Sequence, residues 1–257
     1  MPHHEAVPRF FVSSDQVSGG SATLLGNDAE HLARSLRVRK GELVVVVEAG
    51  RIEHGVRVDA VSPSRVEGTI AWSRPVTGEP ATSIHVLQAL PAKGMELAVE
   101  ALSEVGTAAI HPVITSHTVS RPHPASREHR LERWRTIARE AAQLAGRGRA
   151  PEVHPVRPLG DAVEKLPHGS NVITLVIDAT ARSLQGVELA SRGPLALAVG
   201  PEGGFDAADR ELLRDAGSVD AHLGQRVLPS WLAGAVAVSL LLARSGDIDT
   251  SPVPPPS

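Results

Sequence analysis

The chain has 257 residues, 42% of them hydrophobic and 21% charged, with a net charge of −3 at pH 7. That length holds one large or two ordinary domains, and the longest apolar stretch, Ala233 to Ala243, falls short of the ~18 residues a membrane helix needs. Cysteine is absent, which excludes disulfides and thiolate metal sites; together with a start that lacks a charged-then-apolar signal pattern, this points to a cytoplasmic protein.

The first 75 residues read as β-rich. Arg9-Phe10-Phe11-Val12, Ser21 to Leu25, Glu42 to Glu48, Arg51 to Ala60 and Ser64 to Trp72 are short apolar or alternating runs separated by Gly, Pro or Asn breaks. One helix, Asp28 to Leu36, interrupts them, capped by Asn27 or Asp28. Strands at this spacing around one helix suggest a small barrel. Residues 76–82, with Pro75 just before them, read as a linker. From residue 83 strands and helices alternate: strands at Ser83 to Ala89, Ala109 to Ile114, Asn171 to Asp178, Leu195 to Val199 and Ala221 to Leu223; helices at Gly94 to Val105, His129 to Ala145, Ser183 to Ser191, Ala207 to Ala216 and Leu232 to Arg244. Alternation of this kind predicts an α/β domain over 83–246 with a mainly parallel sheet. The Pro-rich end, 247–257, reads as disordered.

Charge is uneven. Arg34, Arg37, Arg39 and Lys40 cluster early, and Arg121, Arg127, Arg130, Arg133, Arg135, Arg139, Arg147 and Arg149 crowd a second region. Local basic patches matter more for phosphate binding than the total, although intrahelical Glu–Arg pairs account for some of them. The few aromatics argue against a broad base-stacking platform. His111, His117 and His123 are spaced too loosely for one helical face and no His-Glu-x-x-His occurs, so no metal site is expected.

Two glycine elements stand where strands end and helices begin. The first is Val199-Gly200-Pro201-Glu202-Gly203-Gly204-Phe205 after the strand Leu195 to Val199; the second is Leu223-Gly224-Gln225-Arg226-Val227-Leu228. Neither has P-loop, dinucleotide-fingerprint or nucleophile-elbow spacing. Each reads as an ordinary strand–helix turn or as a ligand wall at the carboxyl edge of a parallel sheet. The lone carboxylate of Glu202 between proline and two glycines favours the ligand reading for the first.

The pair, in order with other segments, resembles the RsmE family of SPOUT-superfamily methyltransferases, which modify N3 of a uridine in 16S ribosomal RNA. Arg9 to Val12 is similar to that family's opening strand, His31-Leu32 through Gly41 to its helix and basic turn, and Lys93-Gly94, Glu100 and Glu104-Val105-Gly106 to the first helix of its catalytic domain. Glu140-Ala141-Ala142 through Arg147 resembles a further signature. The resemblance implies a PUA-like RNA-binding β-barrel (1–75), a trefoil-knotted α/β domain, S-adenosylmethionine as methyl donor, a homodimer, and 16S rRNA or the small ribosomal subunit as partner. It also departs from the family. Pro229-Ser230-Trp231-Leu232-Ala233 stands where Arg-Thr-Glu-Thr-Ala is usual, Gln143-Leu144-Ala145 where Glu-Gln-Ser is usual, and Ala101 where lysine is common.

On this reading Glu202 orients substrate or accepts a proton, and Arg226 stabilises negative charge on a uracil oxygen, holds a phosphate, or pairs with a carboxylate. Leu197, Val199, Gly200, Pro201, Gly203, Gly204, Leu223, Gly224, Val227 and Leu228 form the cofactor walls. Arg9, His31, Arg34, Arg37, Arg39, Lys93 and Arg147 contact RNA. A second reading is an RNA- or ribosome-binding protein of the same fold that has lost efficient catalysis.

Overall fold

A computed structural model describes residues 7–119, 121, 123–189 and 193–249. The described chain divides into two compact units, residues 7–79 with 142–149 and residues 80–141 with 150–249. The break falls inside the segment read as a linker. The return of residues 142–149 to the first unit has no counterpart in the sequence pattern.

The first unit is a six-stranded sheet: β1 (Arg9–Val12), β2 (Val17–Ser18), β3 (Ser21–Leu25), β4 (Leu43–Glu48), β5 (Ile52–Val61) and β6 (Arg65–Pro75), in the order β1-β4-β5-β6-β3-β2. Among the described residues of this unit, only β1 and β4 pair in parallel. Register shifts between Gly55 and Val56 and between Val58 and Ala60 bend β5 along β6, as bulges do. Phe10, Leu24, Leu32, Val44, Val46, Val56 and Val66 form the core. The expected helix begins earlier than Asp28 and without a side-chain cap: α1 (Gly26–Glu30) follows Leu25 and widens into a π-helical turn over His31–Leu36.

The presumed linker is pinned. The Glu79 carboxylate accepts from Arg147 Nε at 3.2 Å and Nη2 at 3.0 Å, from the Gly148 N–H at 2.9 Å, and from Arg149 Nε at 3.3 Å. Arg147 is only 2% exposed. A buried guanidinium needs such a partner to offset its desolvation.

The second unit carries β7 (Ile84–Ala89), β8 (Ala109–Ile114), β9 (Glu152–Val153), β10 (Arg157–Pro158), β11 (Asn171–Leu175), β12 (Arg182–Ser183), β13 (Leu195–Val199) and β14 (Val219–His222). Every pairing is parallel, in the order β10-β8-β7-β13-β11-β14-β12, with β9 also on β8. The helices are α2 (Met95–Glu104), α3 (Arg127–Leu144), α4 (Leu159–Val163), α5 (Ala207–Asp215) and α6 (Ser230–Arg244). Period-two alternation divides the sheet between two cores. Ile84, Val86, Leu197 and Val199 face Val99 and Leu102 of α2 and Val238 and Leu241 of α6. Leu87, Ala89, Val113, Ala196 and Ala198 pack with Leu159 of α4 and Leu213 of α5.

The helix expected over Ser183 to Ser191 is absent from its described part. A 3-10 turn, Leu184–Gly186, follows β12, because Arg244 takes the Leu184 and Val187 carbonyls at 2.7 and 2.6 Å. Those carbonyls are the acceptors an α-helix would use internally. In the terminal segment read as disordered, Asp247–Asp249 form a further 3-10 turn, and 250–257 lie outside the described residues.

Three histidines meet across neighbouring strands. His85 Nδ1 lies 3.3 Å from His111 Nε2, and the His111 and His154 rings stack at 4.2 Å. Burial, then the neighbouring His154, His85 and Arg157, hold His111 down at about 3. Burial also lowers His85 and His154, opposed in both by Glu152, with Arg157 and Arg135 adding to the lowering at His154. A histidine kept neutral by the fold binds its proton more readily when unfolded. Its contribution to stability is therefore present above its ordinary value of 6.5 and is lost as pH falls below it. Lowering pH from 7 to 5 should cost up to about 2 kcal/mol through His111, from ~1.4 kcal/mol per pH unit. Urea titrations should show that slope flattened in His111→Leu.

Candidate functional site

Because the second sheet is wholly parallel, the loops after β7, β8, β13 and β14 leave from one edge. The loop after β13 makes a tight turn in which the Gly204 N–H donates to the Pro201 carbonyl at 2.9 Å, with Gly204 at φ 67°. That left-handed backbone favours glycine. Asp206 then caps α5: its Oδ1 accepts from the Asp209 N–H at 2.8 Å, and this bond leads those holding its carboxyl below the usual range.

Neighbouring loops are tied to this one. The Glu202 carboxylate accepts from the Ala92 N–H at 3.1 and 3.2 Å. His117 Nδ1 sits 3.0 Å from the Gly203 carbonyl and 3.1 Å from that of Gly204. Both are acceptors only, so Nδ1 carries the proton. The Ser116 N–H donates to Asp209 Oδ2 at 3.2 Å. Between these contacts lies a cleft of about 500 Å³ lined by Ala92, Ser116, His117, Thr118, Val119, Glu202 and Gly203. On the α6 side, Ser230 Oγ donates to the Gly200 carbonyl at 2.6 Å and accepts from Gln88 Nε2 at 3.1 Å.

The loop after β14 is more open. Its Gly224 N–H donates to His222 Nδ1 at 3.0 Å and φ at Gly224 is 93°. Leu223 and Leu228 are half-buried, Arg226 is exposed, and Val227 is 69% exposed. Leu197 and Val199 are buried in the core, so their side chains are not exposed at this edge. Glu202 and Gly203 share the cleft; Arg226 is not part of its lining. The cleft residues Ser116, Thr118 and Val119 did not stand out in the sequence, and His117 did so only as a metal-ligand candidate, although their place just after a parallel strand is itself a signal.

The seven RNA-contact candidates separate by exposure. His31, Arg34, Arg37, Arg39 and Lys93 are exposed, with Arg34 2.7 Å from Glu30. Arg9 and Arg147 are used within the first unit. Arg9 pairs with buried Glu53 at 2.6 Å, and Arg147 with Glu79, so both lie inside ion pairs rather than presented to a phosphate. Their charges satisfy the buried Glu53 and the half-buried Glu79 instead. Among the described residues there is no group of three or more His, Asp or Glu arranged for a metal, and no helix is long and apolar enough to cross a membrane.

A family model described as an RNA methyltransferase domain matches residues 78–242. The Mycobacterium bovis ribosomal RNA small subunit methyltransferase E is 33% identical over 250 residues, covering 94% of each chain. Among solved structures, a ribosomal RNA small subunit methyltransferase E from Neisseria gonorrhoeae bound to S-adenosylmethionine superposes with a TM-score of 0.82 at 24% identity, covering 93% of this chain and 98% of that one. A Legionella pneumophila protein in complex with the same cofactor gives 0.82 at 25% identity, with the same coverage. On the matched domain and the full-length likeness, this chain belongs to the ribosomal RNA small subunit methyltransferase E family.

Proposed function

We propose that this protein methylates N3 of a uridine in 16S ribosomal RNA, with S-adenosylmethionine as donor. Family membership carries the coarser statement, that the chain is an S-adenosylmethionine-dependent ribosomal RNA methyltransferase. The position on the base rests on the resemblance of the two glycine elements to the RsmE pattern.

The loops fit such a donor. Gly224 opens onto free space, and beside it stand exposed Val227 and half-buried Leu223 and Leu228. Accessible main chain next to apolar side chains suits a purine carried without phosphates, and no phosphate motif is present. Main-chain groups of Leu197, Val199, Gly200, Leu223, Gly224 and Leu228 would hold it, with Pro201, Gly203, Gly204 and Val227 as further wall. The bound donor supplies an electrophilic methyl group.

The chain's own residues would position the base and steady its charge. Uracil N3 carries a weakly acidic proton, so reaction needs the anion held in place more than it needs a strong base. Arg226, exposed on the open loop, is the cation proposed to face a uracil oxygen. Glu202 is committed to the Ala92 N–H, which favours an orienting role. Exposed His31, Arg34, Arg37 and Arg39 on the first unit, which we infer to be a PUA-like barrel, would grip phosphates around an unpaired base, and Lys93 adds a cation on the second unit. Arg9 and Arg147 take no part in that grip.

The knot is also inferred. β13 inserts between β7 and β11, β14 returns outside β11, and α6 then packs on α2, β7 and β13. That order is compatible with a threaded carboxyl-terminal segment. A second copy of the chain is the proposed occupant of an apolar groove of about 380 Å³ between α2 and α6, lined by Ala101, Val105, Leu232, Ala235, Val236 and Leu240 with Glu104 and Ser239.

Three outcomes test these assignments. Incubated with S-adenosylmethionine and small ribosomal subunits lacking the modification, the protein should produce one primer-extension stop at a uridine whose digest contains 3-methyluridine; a methyl group elsewhere on the base defeats the N3 assignment. The double variant Arg37→Ala/Arg39→Ala should weaken RNA binding and lower the salt slope by about 2, leaving cofactor affinity unchanged. Val236→Glu should shift the mass measured by light scattering from dimer to monomer.

A further inference from the structure

The first turn of α6 reaches back to the strand ends that bound the proposed cofactor site, and it does so through one hydroxyl. Gln88 is fully buried at the end of β7, and its Nε2 donates to the Ala89 carbonyl at 3.0 Å. A carbonyl only accepts, so this contact fixes which end of the Gln88 amide is nitrogen. The same Nε2 therefore also donates to Ser230 Oγ, 3.1 Å away. Ser230 has a single proton, and it goes to the Gly200 carbonyl at 2.6 Å. Direction is thus set along the whole chain of bonds, from the Gln88 amide through Ser230 to Gly200. Gln88 Oε1 is left buried without a partner, against Gly234, where a Cβ would come within 3.2 Å of it.

Gly200 is where the loop leaves the strand. As a glycine it is loosely restricted in φ and ψ, whereas Pro201 has its φ locked and contributes no N–H. Holding the Gly200 carbonyl consequently fixes the direction in which residues 201–204 depart. Trp231, next to Ser230, lies on Gly94, so that a Cβ there would stand 3.2 Å from Trp231 Cδ1. The same turn of α6 in this way also braces the loop whose Ala92 N–H holds Glu202.

We infer that Ser230 is a positioning residue of this methyltransferase, a hydroxyl latch that orders the Gly200–Gly204 loop for the methyl donor. The inference rests on the proposed cofactor site. Ser230 touches neither donor nor RNA in this role; it acts through the Gly200 carbonyl.

The test is calorimetric titration of the full chain with S-adenosylmethionine, combined with steady-state kinetics on small ribosomal subunits. Ser230→Ala should raise the cofactor Kd and KM about tenfold, with kcat and RNA affinity within about threefold of wild type. Ser230→Thr, which keeps the hydroxyl, should restore the cofactor Kd. Gln88→Met, similar in length but without the donor, should weaken the cofactor in the same direction and by less. An unchanged Kd in Ser230→Ala overturns the latch while the wild-type titration upholds the cofactor site. Failure of Ser230→Thr to recover, in a variant that melts like wild type, also overturns it. Absence of saturable binding in the wild-type protein at millimolar donor overturns the cofactor reading and the latch together.

Discussion

All pairings in the second sheet are parallel, so no strand there turns back on its neighbour by a hairpin, and each one releases its chain at a common edge. The loops at that edge have main-chain groups with no ladder to join. They meet this need largely through one another: Ala92 N–H on Glu202, the Gly203 and Gly204 carbonyls on His117, Ser116 N–H on Asp209, and the Gly200 carbonyl on Ser230. Two carboxylates, an imidazole and a hydroxyl are therefore placed at the carboxyl edge by the demand for backbone satisfaction. A site of this kind exists before any ligand arrives, which lowers the ordering cost of binding.

The same economy explains where charge goes. The chain is net acidic, yet arginines are needed both inside and outside. Glu53 is 2% exposed and draws Arg9 and Arg74; Glu79 draws Arg147 and Arg149. These pairs satisfy the buried Glu53 and the half-buried Glu79, and they withdraw Arg9, Arg74 and Arg147 from the surface while Arg149 stays exposed. Other cations stay exposed, among them the run after the π-helical turn. There Arg37 stands exposed at φ 54°, Val38 is buried, and Arg39 is exposed again. The left-handed residue, closed by the Val38 N–H donating to the Leu32 carbonyl at 3.0 Å, anchors Val38 in the core and leaves the flanking arginines in water.

Legibility from sequence followed the length and periodicity of each element. The α2, α3, α5 and α6 helices and the central strands β7, β8, β11 and β13 were visible because their apolar residues repeat at 3.6 or fill a doubly covered strand. Two-residue strands β9 and β10 and the five-residue α4 were not, since elements so short carry no period. Alternation of strands and helices predicts a helix over Ser183 to Ser191, whereas Arg244, some sixty residues away, decides the hydrogen bonds there. In the site, the glycine loops were legible because few functions other than close approach need glycine beside a lone glutamate. The cleft partners His117 and Ser116 were not, because their role arises from adjacency of β8 to β7 and of β7 to β13, a sheet order that local sequence does not encode. His85, His111 and His154 met across strands for the same reason.

The departure at Pro229-Ser230-Trp231-Leu232 takes a different meaning in this light. Pro229 sits at the N-cap of α6, the position before the helix proper, where the missing N–H costs no intrahelical bond; its carbonyl still accepts from Leu232 and Ala233. Trp231 exchanges a polar group for packing on Gly94. Ser230 retains, at the family's threonine, the one hydroxyl that the Gly200 carbonyl requires. Loss of the usual arginine and glutamate therefore leaves the bracing of the loop intact, and Arg226, exposed on the neighbouring loop, is the cation we propose for the substrate. The departure thus falls on side chains, while the hydrogen bonds from Gln88 through Ser230 to the Gly200 carbonyl still fix the backbone where the loop leaves its strand.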